Sequence, residues 1–160
     1  MALQGILLWG FVASAVMATV LEGSQFLGFS RLSLPFLFGT FVTDDRHRAM
    51  ILGFFLYLLG GWVFAALYFL LFADLGLATW WLGAIIGLLH GAFLLVVFLP
   101  MLPHVHPRMA SEFDDPGGGA RLEPPGFAGL NYGRRTPLTT LVGQLCYGLI
   151  LGAGYSALVH

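Results

Sequence analysis

The chain has 160 residues, of which 58% are hydrophobic and 9% charged, with a mean hydropathy of +0.86. A soluble domain carries roughly 25% charged residues, so an ordinary soluble fold is excluded. All seven basic residues are arginine and the net charge is −1, which leaves no basic stripe for a nucleic acid.

Four stretches, 1–21, 49–73, 75–103 and 136–159, contain no Asp, Glu, Lys or Arg. A hydrocarbon core of roughly 30 Å needs about 20 apolar residues in a helix, and each stretch is long enough. The chain is therefore expected to be one all-α domain, an integral membrane four-helix bundle covering residues 1–160. Its spans are placed at about 4–22, 49–72, 78–101 and 137–158, with loops at 23–48 and 102–136. Val12-Ala13-Ser14-Ala15 has the small-residue form of a signal-peptide cleavage site. No basic n-region precedes it and the apolar run continues to Leu21, so the first stretch reads as a retained span.

The stripe of small residues Gly10, Ser14 and Ala18 recurs every fourth position on span one, and Glu22 extends it to the end of that span. Arg31, Arg46 and Arg48 follow in the first loop, while Arg108, Arg121, Arg134 and Arg135 lie in the third. Cytoplasmic loops retain Lys and Arg, so both long loops are expected in the cytoplasm and both termini outside, which in a bacterium is the periplasm. Within loop one, residues 32–42 are apolar but too short to cross, and Pro35 suits a first helical turn. An interfacial or re-entrant helix is expected there.

Span two carries Gly53, Gly61 and Ala65, and the short connection 73–76 makes spans two and three antiparallel neighbours. Trp80 and Trp81 fall at the outer interface, which suits amphipathic rings. Span three has Gly83, Gly87 and Gly91, and span four has Gly148, Gly152 and Ser156. In lipid, helices associate through close backbone approach at such residues, so tight packing is expected. Two pairs of segments look alike in the same order. Residues 61–67 resemble 152–158, and 34–37 resemble 99–102, as a duplicated helix–loop–helix unit would. Loop three contains Pro116-Gly117-Gly118-Gly119 and Pro124-Pro125-Gly126, so irregular chain is expected. The glycine run lacks the Lys-Ser/Thr of a phosphate loop and reads as a turn.

Polar groups inside spans are costly and come first as functional candidates. They are His90, mid-way along span three, Gln144 in span four, and Glu22 at the cytoplasmic end of span one. The plain reading is that His90 and Gln144 hydrogen-bond across helices and fix register; the sharper one is a proton relay or ligand site. Haem would need a second axial ligand at the depth of His90, and Met17 is the one residue placed for it. Pro103-His104-Val105-His106-Pro107 could offer two metal ligands, with Glu22, Glu112, Asp114 or Asp115 completing the shell. A plain interfacial polar pair explains that motif equally, and no cofactor is predicted. Cys146 is a packing residue in an apolar run. No Gly-x-Ser-x-Gly, His-Glu-x-x-His or cysteine pair occurs.

Leu34-Pro35-Phe36-Leu37-Phe38-Gly39-Thr40, the segment 60–68 and the segment 83–91 with His90 after paired glycines give a further hint. They resemble a loose group of small four-span bacterial inner-membrane proteins without an assigned function. The resemblance implies a fold and an inner-membrane location, and supplies no catalytic residue. The expected role is a non-catalytic accessory or scaffolding subunit, with the lipid bilayer and other membrane subunits, or copies of the chain itself, as partners. The alternatives are a small oligomeric transporter or channel, and a membrane enzyme with metal at His104 and His106.

Overall fold

In the computed structural model, which describes residues 2–111 and 121–159, local chemistry sets several of the helix ends. Helix α1 covers Ala2–Phe26 and α2 covers Leu34–Thr40. Ser33 caps α2 by accepting the Phe36 N–H at 3.3 Å, and Pro35 occupies its first turn. Helix α3, Arg46–Leu75, starts where the Asp45 carboxylate accepts the Arg48 N–H at 2.7 Å. It stops at Gly76, whose φ of 61° is the left-handed conformation that glycine adopts without Cβ strain. Thr79 caps α4, Trp80–Phe93, by accepting the Leu82 N–H at 3.2 Å. A π-helical turn, Leu94–Phe98, then leads into α5, Leu99–Val105. Pro100 has no N–H for the Val96 carbonyl, and its ring would collide with that oxygen in a regular α-turn. The wider π-turn, in which the Leu99 N–H reaches the Leu94 carbonyl, relieves both. Helix α6 covers Thr136–Val159.

Four helices are long and apolar enough to cross a membrane: Leu3–Phe26, Arg46–Leu75, Trp80–Val105 and Thr136–Val159. These are features of a multi-pass membrane protein. Three of these helices overrun the expected window at both ends, while the third starts two residues inside it, at Trp80, and overruns only at its C-terminal end. The third runs on to Val105, so His104 belongs to the last helical turn and not to the loop.

Helix α1 packs between α3 and α6, and α6 packs along α4. The glycine stripes account for the close approaches. A Cβ at Gly83 would land on the Gly148 carbonyl oxygen, one at Gly87 on that of Gln144, and one at Gly152 on that of Thr79. Gly10 faces Trp62 and Ala65, while Gly61 faces Ser14. Gly53 departs from its expected stripe and meets the Pro35 carbonyl, as Gly39 meets that of Ala49, so α2 lies backbone-to-backbone on α3. The two segments of the expected repeat differ in setting: α2 is a separate short helix, whereas Leu99–Val105 is the end of the continuous helix Trp80–Val105.

The third connection is folded onto the first. Arg108 donates to the Thr40 and Phe41 carbonyls at 2.7 and 3.0 Å, satisfying the C-terminal end of α2. Arg31 donates to the Asn131 carbonyl at 2.6 Å and pairs with Glu123 at 3.0 Å. Ser30 and Thr136 share a buried hydrogen bond of 2.7 Å. Phe127–Tyr132 forms two short turns joined at a kink, where Ala128 and Gly129 have positive φ, within the irregular chain expected there. The Pro116–Gly119 turn lies outside the described residues.

Candidate functional site

Helices α1, α2, α3, α4 and α6 converge, together with the first residue of the π-turn, on a chamber of about 60 Å³. From α1 come Ser14 and Met17, about one turn apart; from α6 come Gln144 and Tyr147. Helix α3 contributes Tyr57, Gly60, Gly61 and Phe64. Leu34 and Phe38 of α2 form one wall, and His90 of α4 with Leu94 of the π-turn forms another.

Each polar group at this chamber has a traceable state. The Tyr57 hydroxyl donates to the Ser14 carbonyl at 3.0 Å, and the Tyr147 hydroxyl donates to the Gly61 carbonyl. His90 Nδ1 shares a hydrogen bond of 3.3 Å with the Tyr68 hydroxyl, and its ring lies 4.2 Å from that of Phe64. These side-chain bridges hold α3 and α4 together where their backbones stay apart. Ser14 Oγ and Gln144 Oε1 are buried and have no hydrogen-bond partner among the described residues. The partner expected for His90 was Gln144; α4 and α6 do pack together, but the His90 ring pairs with the Tyr68 hydroxyl of α3.

Met17 does line the chamber opposite His90. A cavity of roughly 150 Å³ is what holds benzene, so a porphyrin does not fit in this space. His104 and His106 do not act as a pair. His104 is exposed, whereas His106 is buried and committed at both ring nitrogens. Its Nδ1 accepts the Arg108 N–H at 3.1 Å, and its Nε2 lies 3.1 Å from Thr40 Oγ1 and 3.3 Å from the Leu37 carbonyl oxygen. With Nδ1 accepting, the neutral ring carries its proton on Nε2 and donates from there. Burial, and the Arg108 charge behind it, pull the His106 pKa below 6.5, against the opposing pull of the Leu37 carbonyl. Glu22 accepts from Ser33 Oγ at 3.0 Å, which joins the end of α1 to the cap of α2. Glu112, Asp114 and Asp115 lie outside the described residues, and no group of three His, Cys, Asp or Glu side chains converges among those described.

His90 and Gln144 are therefore brought to one chamber, with Ser14 from the packing stripe. Sequence reasoning missed Tyr57, Tyr68 and Tyr147. Tyr57 and Tyr68 are eleven residues apart, three helical turns, inside a charge-free span, and that spacing could have marked a polar face. Comparison with protein-family models, with curated proteins and with solved structures finds no match to this chain.

Proposed function

We propose that the chain is an integral protein of a bacterial inner membrane, a four-span bundle with both termini in the periplasm, acting as a non-catalytic accessory or scaffolding subunit. The observation that carries this reading is how the helix surfaces are divided. Inward faces are closed by glycine and by backbone contact, as between Gly83 and Gly148. Outward faces of α3 and α4 present large bare apolar side chains along their length, and those of α1 and α6 carry them toward their ends; on α3 these are Phe54, Phe55, Leu59, Val63, Leu67 and Leu70. Water would not tolerate such a surface, and hydrocarbon or partner helices would.

In this reading α2 is a short re-entrant helix. Its polar backbone ends are satisfied by Ser33 and Arg108, as non-spanning backbone at membrane depth requires. The seven arginines support cytoplasmic loops. The loops bind each other through Arg31 and Arg108, giving a stiff cytoplasmic cap suited to holding partners in place. The test is native-gel migration of the endogenous protein after mild solubilisation. Co-migration with a larger assembly is expected; migration as a lone chain or homo-oligomer defeats the subunit reading.

A further inference from the structure

Where the third connection folds over the first, the two bound an open cleft of about 430 Å³ at the C-terminal end of α2. Arg108 of the third connection and Asp44 of the first both line it. Asp44 just precedes α3, and Arg108 just follows the helix that ends at Val105. The cleft is therefore level with the ends of two long apolar helices. On the membrane reading proposed above, that is the depth of lipid headgroups.

Arg108 is only partly committed. Its Nη1 donates to the Thr40 and Phe41 carbonyls, which uses two of the five N–H groups of a guanidinium. Nε and Nη2 have no partner, and neither atom is shut away from the surface. Those two atoms form the planar edge that grips two phosphate oxygens at once. The charge of Arg108 is not neutralised either. A helix C-terminus supplies roughly half a negative charge, and no carboxylate pairs with Arg108 among the described residues.

Asp44 is exposed and likewise unpaired. One cation and one anion thus line the same cleft without forming an ion pair. A purely anionic head would meet the Asp44 carboxylate, and a lone cation would meet Arg108. The complement carries both charges, a phosphate for Arg108 and an N–H-bearing ammonium for Asp44. Phe36, Pro107 and Leu122 line the cleft as well and suit the methylene groups between the two charges. Arg121 is a further lining residue, held to the Pro107 carbonyl at 3.2 Å.

We propose that the cleft binds the phosphoethanolamine head of a phospholipid, an assignment that rests on the membrane reading. The phosphate oxygens accept from Nε and Nη2 of Arg108, and the ammonium donates to Asp44. A choline head has no N–H to donate, and a glycerol head carries no cation.

The test titrates the delipidated full chain in detergent with lipids and follows bound lipid by native mass spectrometry. Phosphatidylethanolamine is expected to bind about fivefold more tightly than phosphatidylglycerol of the same chains, the upper end for an exposed ion pair. Diacylglycerol, which lacks the head, should show no saturable binding. Asp44→Asn should erase the preference between the two phospholipids at an unchanged melting temperature. Arg108→Lys, which keeps the charge and loses the planar edge, should weaken both. Equal binding of the two phospholipids by the native chain, or a preference that survives Asp44→Asn, overturns the proposal. Soluble O-phosphoethanolamine bound as tightly as the lipid would make the ligand a free phosphoester and defeat the lipid assignment. If Arg108→Lys does not fold, the lipid comparison and Asp44→Asn still decide. A chain that fails to co-float with liposomes refutes the membrane reading instead, so the two failures are distinguishable.

Discussion

His90 and Tyr68 are the polar pair that ties α3 to α4, and each residue can be removed without touching the backbone. His90→Leu leaves the Tyr68 hydroxyl unpaired among Phe64, Phe72 and Tyr147, at an expected cost of about 1–3 kcal/mol in detergent unfolding. His90→Gln keeps a polar group in reach and should cost less. Adding Tyr68→Phe to His90→Leu should recover part of the loss; a double variant as unstable as the sum of its singles would show that the hydrogen bond carries no coupling. His106 gives a different signature. Its folded pKa lies below 6.5, so the unfolded chain binds the proton more readily. Its contribution is complete above pH 6.5 and fades as pH falls from there toward the folded value. His106→Gln should flatten stability between pH 7 and 5, as urea titrations at both ends would reveal; an unchanged slope removes His106 from the pH response.

At the scale of elements, the glycines sort by what a methyl group would strike. Gly53→Ala directs a Cβ at the Pro35 carbonyl and should separate α2 from α3, costing about 1–3 kcal/mol as overpacking does. Gly60→Ala meets open space and should be neutral or better, since alanine is the stronger helix former. A thermal-shift series that ranks the two the other way refutes the α2–α3 contact. On the other side, Gly87→Leu should disrupt the α4–α6 seam, whereas Leu88→Ala, at an exposed position, should leave the melting temperature nearly unchanged. The π-turn belongs here too. Pro100 explains its presence, and its first residue, Leu94, lines the chamber.

For the whole molecule, the distribution of arginine makes orientation testable. An alkaline phosphatase fusion after residue 160 should be active in export, and one placed in the loop at 43–45 should not. The reverse pattern overturns the proposed topology. The four long helices and the pairing of small residues were legible in the amino-acid order, because apolar length and four-residue spacing are local properties. Helix ends were less legible, since Asp45 and Gly76 act through single hydrogen bonds and dihedral angles that hydropathy does not sense. His90 and Gln144 could be singled out as costly polar groups, but their partners could not be named. Whether His90 met Gln144 or Tyr68 depended on how α3 and α4 are rotated, and rotation is fixed by glycine contacts between α4 and α6. Likewise, His104 and His106 looked equivalent in sequence. Only the fold of loop three over α2 buried one ring against Thr40 and left the other exposed, because contacts between segments more than sixty residues apart are decided by packing and not by spacing.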